Sequence, residues 1–268
     1  MRLIKIVSIV MLFCSTITGC GKEPATLIIG HRGASREAPE NTLASAKRAW
    51  ELGADAVEVD VYLSRDGRIV VIHDRSTART GSEDMIVAET DAETLRTLDV
   101  GSWKSPEFAG ERIPFLEEVI ATIPENGRLL VEIKCGPEII PVLKKVVGES
   151  GKRSSITVIG FGYETVVRCK EAMPSIPAFW VCGTAKDERT GDFIPHPATL
   201  VEKVKNGGLD GIDVEFHGIT GEFVEAVKSA GLGLYTWTVN DLDECRKLTE
   251  LGVDGITTDR PGWIRGNM

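Results

Sequence analysis

Residues 56–74 read AVEVDVYLSRDGRIVVIHD, and this stretch decides the fold. Its first eight residues are mostly branched apolar residues with two interspersed acids, which is typical of a strand. Alternate strand residues face opposite sides, so Glu58 and Asp60 point one way while Val57 and Val59 point the other. An apolar outer face with a charged inner end is what the active-site end of a β/α barrel requires.

The second half of this stretch predicts a hairpin. Arg65-Asp66-Gly67 has the composition of a tight turn, and the apolar run 69–72 follows it directly. An antiparallel return about this turn would bring His73 beside Asp60. The hairpin therefore adds a histidine to the acidic end of the first quoted strand.

The rest of the chain alternates strand patterns with amphipathic helical patterns, which indicates a parallel α/β fold. Strands are predicted at 27–30, 56–63, 128–134, 156–161, 178–182, 211–215, 233–239 and 255–258. The clearest helical stretches are 42–52, 115–123, 138–148 and 220–230. Eight β-α units over about 240 residues have the size of a (β/α)8 TIM barrel. A doubly wound open sheet is the alternative, weakened because no Gly-x-Gly-x-x-Gly follows the first strand.

Residues 75–114 do not fit the repeat, because they contain no clear strand-helix unit. Connections of this length are usually functional or form small subdomains. We predict a small insertion after the hairpin of the second strand, covering one side of the barrel mouth.

The N-terminus has a different composition from the rest of the chain. Arg2 and Lys5 precede a short apolar run, and Ile17-Thr18-Gly19-Cys20 ends it. This resembles a bacterial lipoprotein signal at 1–19, with Cys20 lipidated and 20–26 as a tether. An ordinary secretory peptide is the alternative. The expected location is the cell envelope, with the protein facing the periplasm or the exterior.

Charge and cysteine usage limit the function classes. The net charge of −9 argues against a general nucleic-acid binder, but a local basic cluster could still hold an anionic substrate. The cysteines beyond the signal lack Cys-x-x-Cys spacing, so a zinc site is not expected. We expect buried thiols, with a disulfide left open, at Cys135, Cys169, Cys182 and Cys245.

Groups suited to phosphoryl transfer collect at four predicted strand ends. They are His31, Arg32, Glu58, Asp60, His73, Glu132 and Lys134. Glu58, Asp60 and Glu132 would repel one another unless a cation neutralised them, and oxygen ligands suit Mg²⁺ or Ca²⁺. The alternative is a set of ion pairs, Glu58 with Arg32 and Glu132 with Lys134.

His31 and His73 are the best placed of the four histidines for proton transfer. Phosphodiester cleavage needs a base and an acid on opposite sides of phosphorus. His196 is expected to be a loop residue, and His217 a weaker candidate for the mouth. Arg32 and Lys134 would hold phosphate oxygens.

Five other residues have less specific signals. Asn41 is predicted to cap the first helix, with Glu40 near the metal. Trp237 and Phe161, at strand ends, either wall a substrate pocket or pack the barrel. Asp259 is predicted to cap the terminal loop.

Taken together, the motifs resemble those of the glycerophosphodiester phosphodiesterases. The matching pieces, in the family's order, are His31-Arg32-Gly33, Pro39-Glu40-Asn41-Thr42, Glu58-Val59-Asp60-Val61, His73-Asp74, Glu132-Ile133-Lys134, Trp237-Thr238-Val239-Asn240 and Gly255-Ile256-Thr257-Thr258-Asp259. The resemblance implies a TIM barrel with an insertion, a divalent metal on Glu58, Asp60 and Glu132, and acid-base roles for His31 and His73. It also implies hydrolysis of glycerophosphodiesters to sn-glycerol 3-phosphate and an alcohol, through a cyclic phosphate where the glycerol hydroxyl attacks first.

Two other functions fit the same residues. A lysophospholipase D-like enzyme would keep the barrel and take acylated substrates. A lipoprotein that binds phosphodiesters without cleaving them is disfavoured by the histidine pair. The sequence leaves open the head group, the choice between Mg²⁺ and Ca²⁺, the initial base and the oligomeric state.

Overall fold

A computed structural model describes residues 26–268, so the predicted signal, Cys20 and nearly all of the tether lie outside the described residues. Eight parallel strands close into a barrel, because the first strand pairs with both the second and the last. The strands are β1 (Leu27–Gly30), β2 (Ala56–Leu63), β4 (Arg128–Ile133), β5 (Ile156–Gly160), β6 (Ala178–Cys182), β7 (Gly211–Glu215), β8 (Gly233–Trp237) and β9 (Gly255–Thr258). The TIM-barrel prediction is confirmed.

The hairpin also forms where the sequence predicts it. Strand β3 (Ile69–Val71) pairs antiparallel with β2 through Val61–Val71 and Leu63–Ile69. The backbone N–H of Ile72 then donates to the carbonyl of Asp60 at 3.0 Å. His73 therefore begins beside the acidic end of β2.

Helices cover the outside of the barrel. They are α1 (Leu43–Glu51), α2 (Ala92–Leu95), α3 (Leu116–Ala121), α4 (Ile140–Glu149), α5 (Tyr163–Ala172), α6 (Thr199–Asn206), α7 (Gly221–Ser229), α8 (Leu242–Leu251) and α9 (Pro261–Asn267). Thr42, and not Asn41 as predicted, caps α1: its side chain accepts from the N–H of Ser45 at 3.2 Å. Asn41 is one residue too early, and its side chain is engaged at the acidic end of β2.

The two faces of the strands explain the two parts of the core. Outward residues such as Val57, Val59 and Val131 are fully buried beneath the helices. Inward residues fill the barrel axis, and this inner cluster consists of Ile29, Ala56, Leu130, Ile159, Phe179, Val181 and Tyr235. Because side chains alternate, the next inward residues beyond this plug lie at the carboxyl ends, where parallel β/α barrels carry their active sites.

The segment 75–114 lies against β3 and the first strands. It has its own apolar cluster, in which Val87, Leu95 and Ile113 pack with Val70 of β3. Lys104 Nζ donates to the carbonyl of Ser35 at 2.7 Å, which fixes the segment beside the β1 end of the mouth.

The cysteines behave as the sequence suggests. Cys169, Cys182 and Cys245 are buried free thiols, and Cys135 is a half-buried one. Burial raises the pKa of the first three to about 12, so they remain protonated at neutral pH. Between residues 26 and 268, no helix has the length and apolar character needed to cross a membrane.

Candidate active site

A pocket of about 180 Å³ opens at the carboxyl ends of the barrel strands. It is lined by His31, Arg32, Glu58, His73, Glu132, Lys134, Ile159, Phe161, Val181, Asp213, Trp237, Thr238 and Thr257. The lining includes every predicted site residue except Asp60, which is 1% exposed and contacts Lys134 and Arg32 of the lining. The fold thus gathers residues that are up to 206 positions apart in sequence, from His31 to Trp237.

Three carboxylates form the most charged part of this site. Glu58, Asp60 and Glu132 each offer an oxygen, and these oxygens lie within 4.8 Å of one another. Burial and the neighbouring negative charges raise the pKa values of Glu58 and Glu132. Oε1 of Glu58 is buried and has no hydrogen-bond partner among residues 26–268. An all-oxygen set with one unpartnered atom fits a hard divalent cation such as Mg²⁺ or Ca²⁺.

Ion pairs neutralise only part of this charge. Lys134 Nζ lies 2.8 Å from Glu132 and 3.4 Å from Asp60, so one predicted ion pair is present. Glu58 instead accepts from the backbone N–H of Arg32 at 2.8 Å. The Arg32 guanidinium donates to Glu40 at 2.7 Å, and its Nε lies 3.3 Å from Asp60 without hydrogen-bond geometry.

The backbone around Arg32 and Asn41 is shaped for this cluster. Both residues have left-handed φ angles, +54° and +57°, which are uncommon outside glycine and typical of functional sites. The Asn41 amide donates to Asp60 Oδ2 at 2.7 Å, and its carbonyl oxygen accepts from the Asp60 backbone N–H at 3.1 Å. Asn41 therefore fixes the Asp60 carboxylate, which explains why it does not cap α1.

His31 is held by a carboxylate from the other end of the chain. Its Nδ1 lies 2.6 Å from Oδ1 of Asp259. The Ser35 hydroxyl also donates to this Oδ1, and the Asn240 amide donates to Oδ2 of the same carboxylate. Burial raises the pKa of Asp259, but these partners, His31 first, lower it to about 2. The prediction that Asp259 caps the terminal loop is wrong. Barrel closure pairs Gly30 with Thr258, so the residues after β1 and β9 are neighbours.

His73 is held in the same way by its own neighbour. Its Nδ1 lies 2.7 Å from Asp74, and its Nε2 lies 3.2 Å from Lys134 Nζ. An ammonium group can only donate, so Nε2 accepts and the ring is neutral. Burial lowers the pKa of His73, and the charges of Arg32 and Lys134 act in the same direction.

Arg79 connects the segment 75–114 to this site, and the sequence did not indicate it. Its Nε donates to Asp74 at 2.7 Å, and its two terminal nitrogens donate to Glu40 at 2.7 and 2.8 Å. Glu40 in turn holds Arg32, and these arginines lower its pKa to about 2 against the effect of burial. Nothing in the composition around Arg79 distinguishes it from a surface arginine.

Aromatic rings form another part of the pocket wall. Phe161 and Trp237 meet edge to face at 5.5 Å, and the Phe161 ring lies 5.7 Å from Lys134 Nζ. Phe161 is 48% exposed, so it stands at the rim and does not pack the barrel.

The other two histidines lie away from the pocket. The buried ring of His196 bonds to the carbonyl of Glu215 at 2.7 Å, and His217 pairs with the Glu215 side chain at 2.5 Å. His217 also stacks on Phe193. Neither ring lines the pocket, in agreement with their lower ranking from the sequence.

Comparisons with known proteins agree with this geometry. The model of the glycerophosphoryl diester phosphodiesterase family matches residues 31–263. A glycerophosphodiester phosphodiesterase of Caldanaerobacter subterraneus is 35% identical, with 88% of this chain and 95% of the relative covered. A Bacillus subtilis enzyme of the same name is 26% identical, with 88% and 84% covered.

A solved structure shows the same fold. An Oleispira antarctica phosphodiesterase, in complex with the product sn-glycerol-3-phosphate, has a TM-score of 0.82 and 30% identity. The match covers 91% of this chain and 96% of that protein. The barrel, the acidic cluster, the histidine pair and the family match over nearly the whole barrel lead to one conclusion: this chain is an enzyme of the glycerophosphoryl diester phosphodiesterase family.

Proposed function

We propose that this enzyme uses a divalent metal and two histidines to hydrolyse glycerophosphodiesters to sn-glycerol 3-phosphate and an alcohol. The observation that carries the proposal is a cluster of three carboxylates, two of which line one pocket with two imidazoles, each held by a carboxylate of its own. The similar Oleispira antarctica phosphodiesterase was solved with sn-glycerol-3-phosphate, which supports the same product here.

Glu58, Asp60 and Glu132 would hold the metal ion, Mg²⁺ or Ca²⁺. Such an ion, when bound, neutralises charge on phosphoryl oxygens and lowers the pKa of a hydroxyl group. The unpartnered Oε1 of Glu58 and the mutual repulsion of the three carboxylates support this assignment. Asn41 would keep Asp60 oriented through its two hydrogen bonds.

His73 is the better candidate for the initial base. Its Nε2 is unprotonated, and Asp74 accepts the Nδ1 proton, so the ring can take a proton from the attacking hydroxyl. That hydroxyl belongs either to water or to the glycerol of the substrate. His31, with Nδ1 fixed on Asp259, would give a proton from Nε2 to the oxygen of the leaving alcohol.

Arg32 and Lys134 would bind the phosphate oxygens, because both cations line the pocket next to the acidic cluster. Phe161 and Trp237 would form the apolar wall against the carbon atoms of the substrate. In the direct route, water attacks phosphorus, the P–O bond to the alcohol breaks, and the alcohol leaves with a proton. In the cyclic route, the glycerol hydroxyl attacks first and expels the alcohol, and water then opens the cyclic phosphate. Both routes yield one phosphomonoester and one alcohol.

The test is release of sn-glycerol 3-phosphate from glycerophosphocholine by the full-length protein in detergent. We expect release with Mg²⁺ or Ca²⁺ and none with a chelator, and Mg²⁺ added back after chelation should restore it. A parallel assay with lysophosphatidylcholine separates the lysophospholipase D-like alternative. Faster cleavage of the acylated substrate would favour that alternative, and binding without release would favour a non-catalytic lipoprotein.

We also propose that the protein is anchored to the cell envelope by lipid on Cys20, facing the periplasm or the exterior. The support is the sequence pattern of residues 1–20 alone. Metabolic labelling with a radioactive fatty acid should mark the protein, and Cys20→Ala should abolish the label. Persistent labelling of that variant would contradict the anchor.

A further inference from the structure

Two buried polar atoms in the pocket have no role in the chemistry described above. Oδ1 of Asp213 and Oγ1 of Thr257 are both buried and lack hydrogen-bond partners within the described part of the chain. Both residues line the pocket and are 2% exposed. A buried polar group without a partner is unfavourable, so two in one pocket indicate that a partner arrives with the ligand.

Along the barrel, two strands separate Asp213 from the acidic cluster on one side, and one strand separates Thr257 from it on the other side. Asp213 lies on β7 and Thr257 on β9, whereas the three clustered carboxylates lie on β2 and β4. Between Glu132 and Asp213, on β5 and β6, the lining consists of Ile159 and Val181. An apolar stretch of the lining therefore separates Asp213 from Glu132.

Asp213 is not a fourth ligand of the proposed metal. Its carboxylate is not part of the cluster of Glu58, Asp60 and Glu132, whose oxygens lie within 4.8 Å of one another. Among residues 26–268, no Lys, Arg or His forms an ion pair with it. Burial, and then the charge of Glu132, raise the pKa of Asp213 well above its ordinary value. A neutral carboxyl group both donates and accepts a hydrogen bond.

We propose that Asp213 and Thr257 form a subsite that binds the terminal hydroxyl of the substrate's glycerol. This deepens the proposed function and rests on it. A hydroxyl matches the two residues because it can donate and accept, whereas a head-group ammonium can only donate. The phosphate would lie by Arg32 and Lys134, with the glycerol reaching across the apolar stretch.

The test compares sn-glycerol 3-phosphate with 2-hydroxypropyl phosphate, which lacks only the terminal hydroxyl. Binding of each to the full-length protein in detergent is measured by calorimetry with Mg²⁺ present. The variants are Asp213→Leu, which removes hydrogen bonding, and Asp213→Asn, which keeps much of it. Asp192→Asn, at an exposed residue that does not line the pocket, is the charge-matched control.

We expect the wild type and Asp192→Asn to prefer sn-glycerol 3-phosphate by about tenfold. Asp213→Leu should bind the two compounds equally, and Asp213→Asn should keep part of the preference. Because an unpartnered buried polar group is removed, Asp213→Leu should melt no lower than the wild type. A lower melting temperature would assign Asp213 a structural role and overturn the proposal.

The proposal is also overturned if the wild type does not discriminate, or if Asp213→Leu discriminates as well as the wild type. Binding and turnover separate this inference from the proposed function. Discrimination without any release of alcohol would contradict the hydrolysis and leave the subsite standing. Release of alcohol without discrimination would contradict the subsite alone. A preference for ethanolamine over choline esters that depends on Asp213 would assign it to the ammonium of the head group.

Discussion

The two histidines of the pocket are held alike but by different parts of the molecule. His31 follows β1, and its carboxylate partner, Asp259, follows β9, 228 residues away. His73 follows the hairpin strand β3, and its partner is the next residue, Asp74. Closure of the barrel delivers the first pair, whereas the second pair depends on a hairpin outside the eight-stranded ring.

The supports behind these carboxylates differ in the same way. Asp259 accepts from Ser35 and Asn240, which lie at the ends of barrel elements. Asp74 accepts from Arg79 of the segment 75–114, which also holds Glu40. Barrel closure therefore suffices for one imidazole, while the other needs the insertion. The two pocket histidines also differ at Nε2, because that of His73 lies next to the ammonium group of Lys134.

The largest expected effect comes from removing either imidazole. His31→Asn and His73→Asn should each lower kcat for glycerophosphocholine by roughly 10²–10⁴-fold, as general acid and base groups do. Circular dichroism and melting should show an intact barrel, because neither ring is buried in the apolar core. His217→Asn, at a ring outside the pocket, is the matched control and should retain full activity. Full turnover by either pocket variant would contradict the proposed acid-base pair.

The next effect concerns the acidic cluster of Glu58, Asp60 and Glu132. Glu58→Gln keeps the shape and removes one charge, so activity should fall at least about 10²-fold through weaker metal binding. In the wild type, metal at a hundred times its dissociation constant should add about 2.7 kcal/mol to the free energy of unfolding. Calorimetric melting with and without Mg²⁺ measures this.

Without metal, the same variant should melt no lower than the wild type, because it relieves repulsion among buried carboxylates. A wild type that melts identically with metal and with chelator would argue against a metal at these residues.

Removing the residues that support the two histidines should lower kcat by different amounts. Asp259→Asn should lower kcat by about 10–100-fold, since it removes the acceptor of His31 and offers an amide in its place. Arg79→Ala should lower kcat by about tenfold, because Asp74 and Glu40 both remain and each loses only a supporting hydrogen-bond donor. Arg79→Lys should recover little, since a lysine cannot hold Glu40 and Asp74 as a fork does. If Asp259→Asn and Arg79→Ala lower kcat equally, the insertion supports its histidine as strongly as barrel closure supports the other.

The same contrast explains what the sequence could predict. Strand periodicity and the turn at Asp66-Gly67 were enough to predict the barrel and the hairpin, because both are local patterns. Asp259 was misassigned because its role appears only when β9 pairs with β1. The prediction for Asn41 is wrong because asparagine is common both at helix N-caps and at residues with left-handed φ angles. The sequence does not show which of the two conformations Asn41 adopts. Arg79 has no local signal at all, since its partners, Asp74 and Glu40, are brought together only by the insertion.

The smallest expected effect is a shift of the pH profile, and it tests which imidazole is the base. The base must be neutral, and burial lowers the pKa of His73 below the ordinary value of about 6.5. The fraction of active enzyme therefore rises with pH through a point below about 6.5, and the acidic limb of kcat/KM should lie there. The measurement is made with saturating Mg²⁺, so that metal binding does not set the limb.

Two variants sharpen this assignment. The hydrogen bond to Asp74 raises the pKa of His73, so Asp74→Asn should move the acidic limb to lower pH. Asp259→Asn should lower kcat/KM at every pH, because it weakens the support of His31. If His73 is the base, the pH of the acidic limb should not change in this variant. If Asp259→Asn shifts the acidic limb and Asp74→Asn does not, His31 is the initial base. The acid and base roles of the two histidines would then be exchanged, and both would remain catalytic.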